Sequence, residues 1–189
     1  GYHKKEIREI AAKAGFDALR KKAESYEICF IPDNDYRGFL KRKRPEQLND
    51  LEGGTFVDKD GNILGRHDGY PFFTVGQRKG LGIALGEPAY VTAISPETNQ
   101  VTLGPREDLE RQTMRVRDVN TIKYPVIENG TQAVTKIRYK DQGKASSLFW
   151  EGNALEVVFE EAAEAVAPGQ SAVFYEGDDV LGGGFIARA

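Results

Sequence analysis

Three stretches of this chain hold residue types that could do chemistry. The first is Cys29, the only cysteine among 189 residues. It lies in the strand-like run Tyr26-Glu-Ile-Cys-Phe-Ile31, which ends at Pro32 and Asp33. A thiol at a strand end, before a helix N-terminus and among basic residues, is favoured as thiolate, the form that acts as nucleophile or sulfur carrier. A cysteine flanked by Ile28 and Phe30 is also a small apolar side chain suited to filling a core. Both readings stand on the residues alone. The second stretch, Thr74-Val-Gly-Gln-Arg-Lys-Gly-Leu-Gly-Ile83, is the densest cluster of glycines and cations. Glycines let a backbone come close to a ligand, and Gln77, Arg78 and Lys79 offer phosphate or base contacts. Its Gly80-x-Gly82-x-x-x-Gly86 spacing is wrong for a dinucleotide loop, and no βαβ pattern surrounds it. It also reads as a glycine-shaped turn carrying two solvated charges. The third stretch is Lys136-Ile-Arg-Tyr-Lys140. As a strand, it puts Lys136, Arg138 and Lys140 on one face and Ile137 and Tyr139 on the other. Such a face suits a phosphate backbone, or is simply the wet side of a half-buried strand.

The remaining polar residues form no catalytic constellation. His67, beside Asp68 and Gly69, is an acid/base candidate only in isolation, and the adjacent acidic pairs Glu160-Glu161 and Asp178-Asp179 point to opposite faces of a strand. One cysteine excludes an intrachain disulfide framework, and two histidines argue against a histidine-built metal centre. No run approaches the roughly 18 apolar residues of a membrane span. The net charge of −3 argues against a globally basic nucleic-acid binder, but the average conceals blocks. Residues 1–45 carry twelve Lys/Arg against seven Asp/Glu, and residues 111–140 seven against two; the segments 46–110 and 141–189 are acidic.

Several elements must position these residues. Ile7, Ile10, Ala11 and Ala14 recur at helical spacing, with Gly15 placed to end the helix. After the strand that carries Cys29, Asp33 is an N-cap candidate for a second helix bearing Tyr36, Phe39 and Leu40 and ending in Lys41-Arg-Lys-Arg44. From about residue 53 turn residues take over. Asp60-Gly61 between Thr55-Phe-Val57 and Ile63-Leu64 predicts a hairpin, and residues 89–94 and 100–103 predict two more strands. Further strands are expected near 114–122, 133–140, 144–150, 154–159, 170–176 and 180–186, which suggests a small barrel. Leu181-Gly-Gly-Gly184 marks a bulge, a corner or a close backbone approach, and Gln170 follows the Pro168-Gly169 turn. The expected fold is mainly β, with a short α/β N-terminal remnant (1–46), a small central β-rich domain (47–110) and a six-stranded C-terminal barrel (111–189).

Ile28-Cys-Phe-Ile31, Gly76-Gln-Arg-Lys-Gly-Leu-Gly-Ile83, Ile137-Arg-Tyr139, Pro168-Gly-Gln-Ser-Ala-Val-Phe-Tyr175 and Leu181-Gly-Gly-Gly184 occur in one order along almost the whole chain. In that order they resemble the bacterial tRNA-specific 2-thiouridylases, which place sulfur on the wobble uridine. The resemblance implies that Cys29 carries a persulfide sulfur, received from a donor protein, to a uridine adenylated at its C2 oxygen. It implies a disulfide with a partner cysteine outside this sequence, and ATP with Mg bound by an N-terminal domain also outside it. No Ser-Gly-Gly-x-Asp-Ser-like nucleotide loop occurs here, so the chain, which begins at Gly1 without an initiator, is expected to be a C-terminal portion with no bound cofactor and no activity alone. Arg138, Tyr139 and Gln170 match tRNA-contacting residues; Gln77, Arg78 and Lys79 are further tRNA-contact candidates. Expected partners are tRNA and the sulfur donor, with no membrane, in the cytoplasm. The other reading is a stand-alone β-barrel RNA-binding module in which Cys29 is structural.

Overall fold

The computed structural model describes residues 1–18, 31, 35–49, 51, 53–139 and 141–188. Cys29, the strand expected around it, and Asp33 lie outside the described residues. The chain divides into two compact units, Gly1–Glu46 and Gln47–Ala189.

In the first unit, α1 (Lys4–Lys13) starts where the Glu6 carboxylate accepts the His3 N–H at 2.6 Å. It ends where Gly15 takes a left-handed φ of 84°. The second helix, α2 (Tyr36–Lys43), is capped by Asp35, whose Oδ1 accepts the Gly38 N–H at 2.8 Å. Its last turn holds Lys41, Arg42 and Lys43, where cations complement the helix dipole. A short α3 (Pro45–Asn49) leads onward.

In the second unit, β1 (Gly54–Val57), β2 (Ile63–His67), β3 (Tyr90–Ser95) and β4 (Gln100–Gly104) form a sheet in the order β2-β1-β4-β3. The β1–β2 hairpin forms as the Asp60-Gly61 signal predicts. Asp58 organises it, its carboxylate accepting from the backbone N–H of Asp60 and Asn62 at 2.9 Å each and from the Asn62 amide at 2.8 Å. Phe56, Phe72, Phe73, Val91, Val101 and Leu103 fill the core. His67 belongs to that core and not to a loop. It packs edge-on against Phe56 and Phe73, 4.8 and 5.0 Å between ring centroids. A Cβ at Gly54 would lie 2.2 Å from its ring, so only glycine fits opposite it. Burial pushes the imidazole below its ordinary pKa, which favours the neutral form.

A closed six-stranded barrel follows, as the sequence predicts, in the order β10-β5-β8-β7-β6-β9. Its strands are β5 (Glu110–Thr121), β6 (Thr131–Lys136), β7 (Lys144–Glu151), β8 (Ala154–Glu164), β9 (Ser171–Glu176) and β10 (Asp179–Ile186). Inward positions alternate along the strands, so that Val116, Leu148, Leu155, Val157, Phe159, Ala172 and Phe174 form one core. The one buried hydroxyl pair in it, Thr135 and Ser146 at 2.7 Å, is satisfied further by Ser146 Oγ donating to the Ala133 carbonyl. The triple glycine serves close approach. A Cβ at Gly182, Gly183 or Gly184 would come within 2.4, 2.6 and 2.5 Å of the carbonyl oxygens of Asn120, Ala172 and Arg117. The register of β10 shifts there against both neighbours.

One expectation is overturned. Strand β6 stops at Lys136, so Lys136, Arg138 and Lys140 are not one strand face. Beyond it the Asp141 carboxylate accepts the N–H of Ile137 at 3.1 Å and of Gly143 at 3.1 Å, while the Asp141 N–H donates to the Arg138 carbonyl at 3.1 Å. These local bonds fold the chain into a turn and outcompete a longer ladder. Lys140 lies outside the described residues.

Candidate nucleic-acid interface

The turn after β6 brings Ile137, Arg138 and Tyr139 to one end of the barrel. Ile137 plugs the core, 5% exposed, while Tyr139 stands 98% exposed. The Arg138 guanidinium donates to the Glu164 backbone carbonyl at 3.3 Å. That bond orients the side chain without neutralising it, and among the described residues no carboxylate pairs with it. An oriented, unneutralised guanidinium beside an open phenol ring offers the two contacts RNA uses most, charge to phosphate and a face for stacking.

Gln170 lies at the same end, because β9 runs antiparallel to β6 with Val173 opposite Lys136. It follows the turn made by Pro168 and Gly169, the latter at φ 85°. The Gln170 N–H donates to the Ala167 carbonyl at 3.2 Å and its carbonyl accepts from the Ile186 N–H at 2.8 Å. Its backbone is therefore held from both sides, and its exposed amide side chain has no protein partner among the described residues. Lys136, by contrast, is committed to the ring of Tyr175, its Nζ 4.9 Å from the centroid.

The glycine-rich stretch is an irregular loop between the 3₁₀ turn Tyr70–Phe72 and β3. The Gly76 N–H donates to the Val91 carbonyl at 2.8 Å and the Val91 N–H to the Gln77 carbonyl at 2.9 Å, which fastens the loop to β3. Both ends of the Gln77 amide are spent inside the loop: Oε1 accepts from the Thr74 N–H at 3.1 Å and Nε2 donates to the Lys79 carbonyl at 3.0 Å. Arg78 and Lys79 are exposed. A shallow concavity runs from Arg78 past Leu81, Ile83 and Leu85 to Ala89.

Arg106 enters the barrel end too, a residue the sequence did not single out. Its Nε and Nη2 bond one Glu164 carboxylate oxygen at 3.1 and 2.9 Å, which raises the Arg106 pKa further above its ordinary value. Only its place beside Gly104-Pro105 hinted at a junction. Among the described residues no cluster of His, Cys, Asp and Glu could hold a metal ion, and no helix is long and apolar enough to cross a membrane.

Three family models match the chain in succession: a tRNA methyl transferase HUP domain over residues 1–33, a tRNA methyl transferase PRC-barrel domain over 37–105, and an aminomethyltransferase beta-barrel domain over 111–186. Among curated relatives, the tRNA-specific 2-thiouridylase MnmA of Amoebophilus asiaticus is 54% identical over 98% of this chain and 50% of its own length. That of Cytophaga hutchinsonii is 52% identical over 97% and 50%, and one from Clostridium botulinum 48% identical over 98% and 52%. The chain thus spans about half the length of the curated relatives it matches. Identity near one half, sustained from end to end, together with three family models in succession, leads to one conclusion: the chain belongs to the tRNA-specific 2-thiouridylase family.

Proposed function

We propose that this chain is the sulfur-carrying and tRNA-holding part of an enzyme that forms 2-thiouridine at the wobble position of tRNA. Cys29 takes a persulfide sulfur from a donor protein. The terminal sulfur bonds to C2 of the uridine as the adenylate on the C2 oxygen leaves as AMP. A second thiolate then attacks the Cys29 sulfur and breaks the S–S bond. The outer sulfur stays on the uridine, and Cys29 ends in a disulfide with the attacking cysteine. These 189 residues contain no second cysteine, so the partner thiol belongs elsewhere in the enzyme. The residues present offer no nucleotide loop of the Ser-Gly-Gly-x-Asp-Ser type, so binding of ATP and Mg, and the activation of the uridine, are assigned to none of them. A cytoplasmic setting fits this chemistry, because thiols there are kept reduced between turnovers.

Arg138, Tyr139 and Gln170 hold the tRNA. The observation that carries this reading is the pairing of a fully exposed tyrosine with an arginine that lacks a carboxylate partner among the described residues.

The test is Cys29→Ser in the full-length enzyme. Thiouridine formation is expected to vanish with tRNA affinity nearly unchanged. Normal thiolation by that variant would sink the sulfur-carrier role and favour the alternative, an RNA-binding barrel with a structural cysteine. The 189-residue chain by itself is expected to show no ATP-dependent thiolation.

A further inference from the structure

We propose that the tRNA surface is composite: it continues from the Arg138–Tyr139 turn across Glu164 and Ala165 onto the Arg78–Lys79 loop, and Gly76 and Gln77 are positioning residues that hold this loop against the barrel. The proposal rests on the tRNA reading above and extends it to a second element.

Three segments meet at two consecutive residues. The Glu164 carboxylate takes Arg106, and its backbone carbonyl takes Arg138. The Ala165 N–H donates to the Leu109 carbonyl at 3.1 Å, and Ala165 itself sits at φ 55°. Its methyl group faces Gly76, where an added Cβ would lie 2.6 Å from the Ala165 Cβ. Gly76 adopts φ 90°. A side chain there would be strained by its backbone and blocked by its neighbour at once. The loop therefore touches the barrel at the residue next to the one that orients Arg138.

Charge accounting explains why this junction suits a polyanion. Arg106 is spent on the Glu164 carboxylate, so that carboxylate is not left to repel phosphate or to capture Arg138. Arg138, Arg78 and Lys79 remain unneutralised by any carboxylate among the described residues. Arg78 and Lys79 follow Gly76 by two and three residues, within about 11 Å of chain at most. An RNA backbone presents phosphates densely enough for one molecule to meet all three cations. The Gln77 amide bonds within the loop through both its oxygen and its nitrogen, so it braces the turn that displays its two basic neighbours.

The experiment measures tRNA binding to the full-length enzyme by fluorescence anisotropy across a salt series. Arg138→Gln is expected to flatten the plot of log affinity against log salt by about one unit of slope, and the double variant Arg78→Gln, Lys79→Gln by up to about two. Gly76→Ala removes no charge yet is expected to weaken binding several-fold, and Ala165→Gly in the same chain to restore the part due to the clash. Gln77→Ala is expected to weaken binding in the otherwise native chain but to cost nothing further once Arg78 and Lys79 are glutamine, a non-additivity that a purely structural role would not produce. An unchanged slope in the Arg78, Lys79 variant, with a reduced slope in Arg138→Gln, would overturn the composite surface and leave the tRNA reading in place. Salt-independent or absent binding by the native chain would overturn both. Because Arg78 and Lys79 are exposed, their replacement tests the surface even should Gly76→Ala fail to fold.

Discussion

The barrel carries two cation–tyrosine dipeptides at opposite ends of β6, and they behave differently. Lys123-Tyr124 lies in the connector before that strand, Arg138-Tyr139 in the turn after it. Lys123 is clamped by the carboxylates of Glu176 and Asp179, the latter at 2.8 Å, and its pKa is pushed up by both. The Tyr124 hydroxyl donates to Glu176 at 3.0 Å and its ring is 43% exposed, beside a groove lined by Pro125, Val126 and Leu181. Arg138 meets a neutral carbonyl, and the Tyr139 side chain has no hydrogen-bond or ring partner among the described residues. Residue type alone makes the two pairs equivalent. What separates them is whether the neighbouring loops supply free carboxylates: Glu176, Asp178 and Asp179 crowd the first end, whereas at the second Glu164 is already paired with Arg106 and the Asp141 carboxylate accepts the N–H groups of Ile137 and Gly143. A cation becomes available to nucleic acid through what its neighbours are already doing.

The comparison can be broken from either side. The largest difference is expected between the tyrosines. Tyr139→Ala should cost about 1–3 kcal/mol in tRNA affinity if a base stacks on it, while Tyr124→Ala should leave affinity where it was. Equal losses in a binding titration would erase the distinction. Next come the cations: Arg138→Gln lowers the salt dependence by about one unit, and Lys123→Gln leaves it unmoved while releasing two carboxylates from their partner. The smallest effect is a titration. Lys123 and Tyr124 hold the Glu176 carboxyl below its ordinary value. Its charged form is thus favoured by folding, so the contribution to stability is present above the ordinary glutamate range near 4.3 and fades as pH falls through the lower folded value. An NMR titration should find the Glu176 midpoint depressed, restored by Lys123→Gln and indifferent to Arg138→Gln.

Much of this architecture was legible beforehand. The alternation in Ser171–Glu176 and the Asp60-Gly61 turn announced a strand and a hairpin that formed as read. The failures have physical causes. Period two continues formally through Lys136-Ile-Arg-Tyr-Lys140, yet Asp141 ends the strand with side-chain bonds that alternation cannot register; the Asp141-Gln-Gly143 pattern was the available warning. Strand β8 runs on to Glu164 although Glu160-Glu-Ala-Ala-Glu164 favours helix, because pairing of Arg111 with Ala163 and Glu110 with Glu164 overrides local propensity. The parallel pairing of β1 with β4 depends on contacts some 45 residues apart, and no local pattern encodes it. At the candidate interface, Arg138, Tyr139 and Gln170 were identifiable by resemblance, but Arg106 and the contact of Gly76 with Ala165 were not, since each depends on a residue far along the chain.

The Asp141 clamp has a thermodynamic corollary. Because its carboxylate already ties the Ile137 N–H to the Gly143 N–H, the two ends of the turn that displays Tyr139 are fixed during folding. On the tRNA reading proposed above, RNA arriving there has less left to order, so association is expected at a rate set by charge attraction and orientation, without a slow rearrangement step. Loosening that clamp would tax every encounter with an entropy that the native chain has settled in advance.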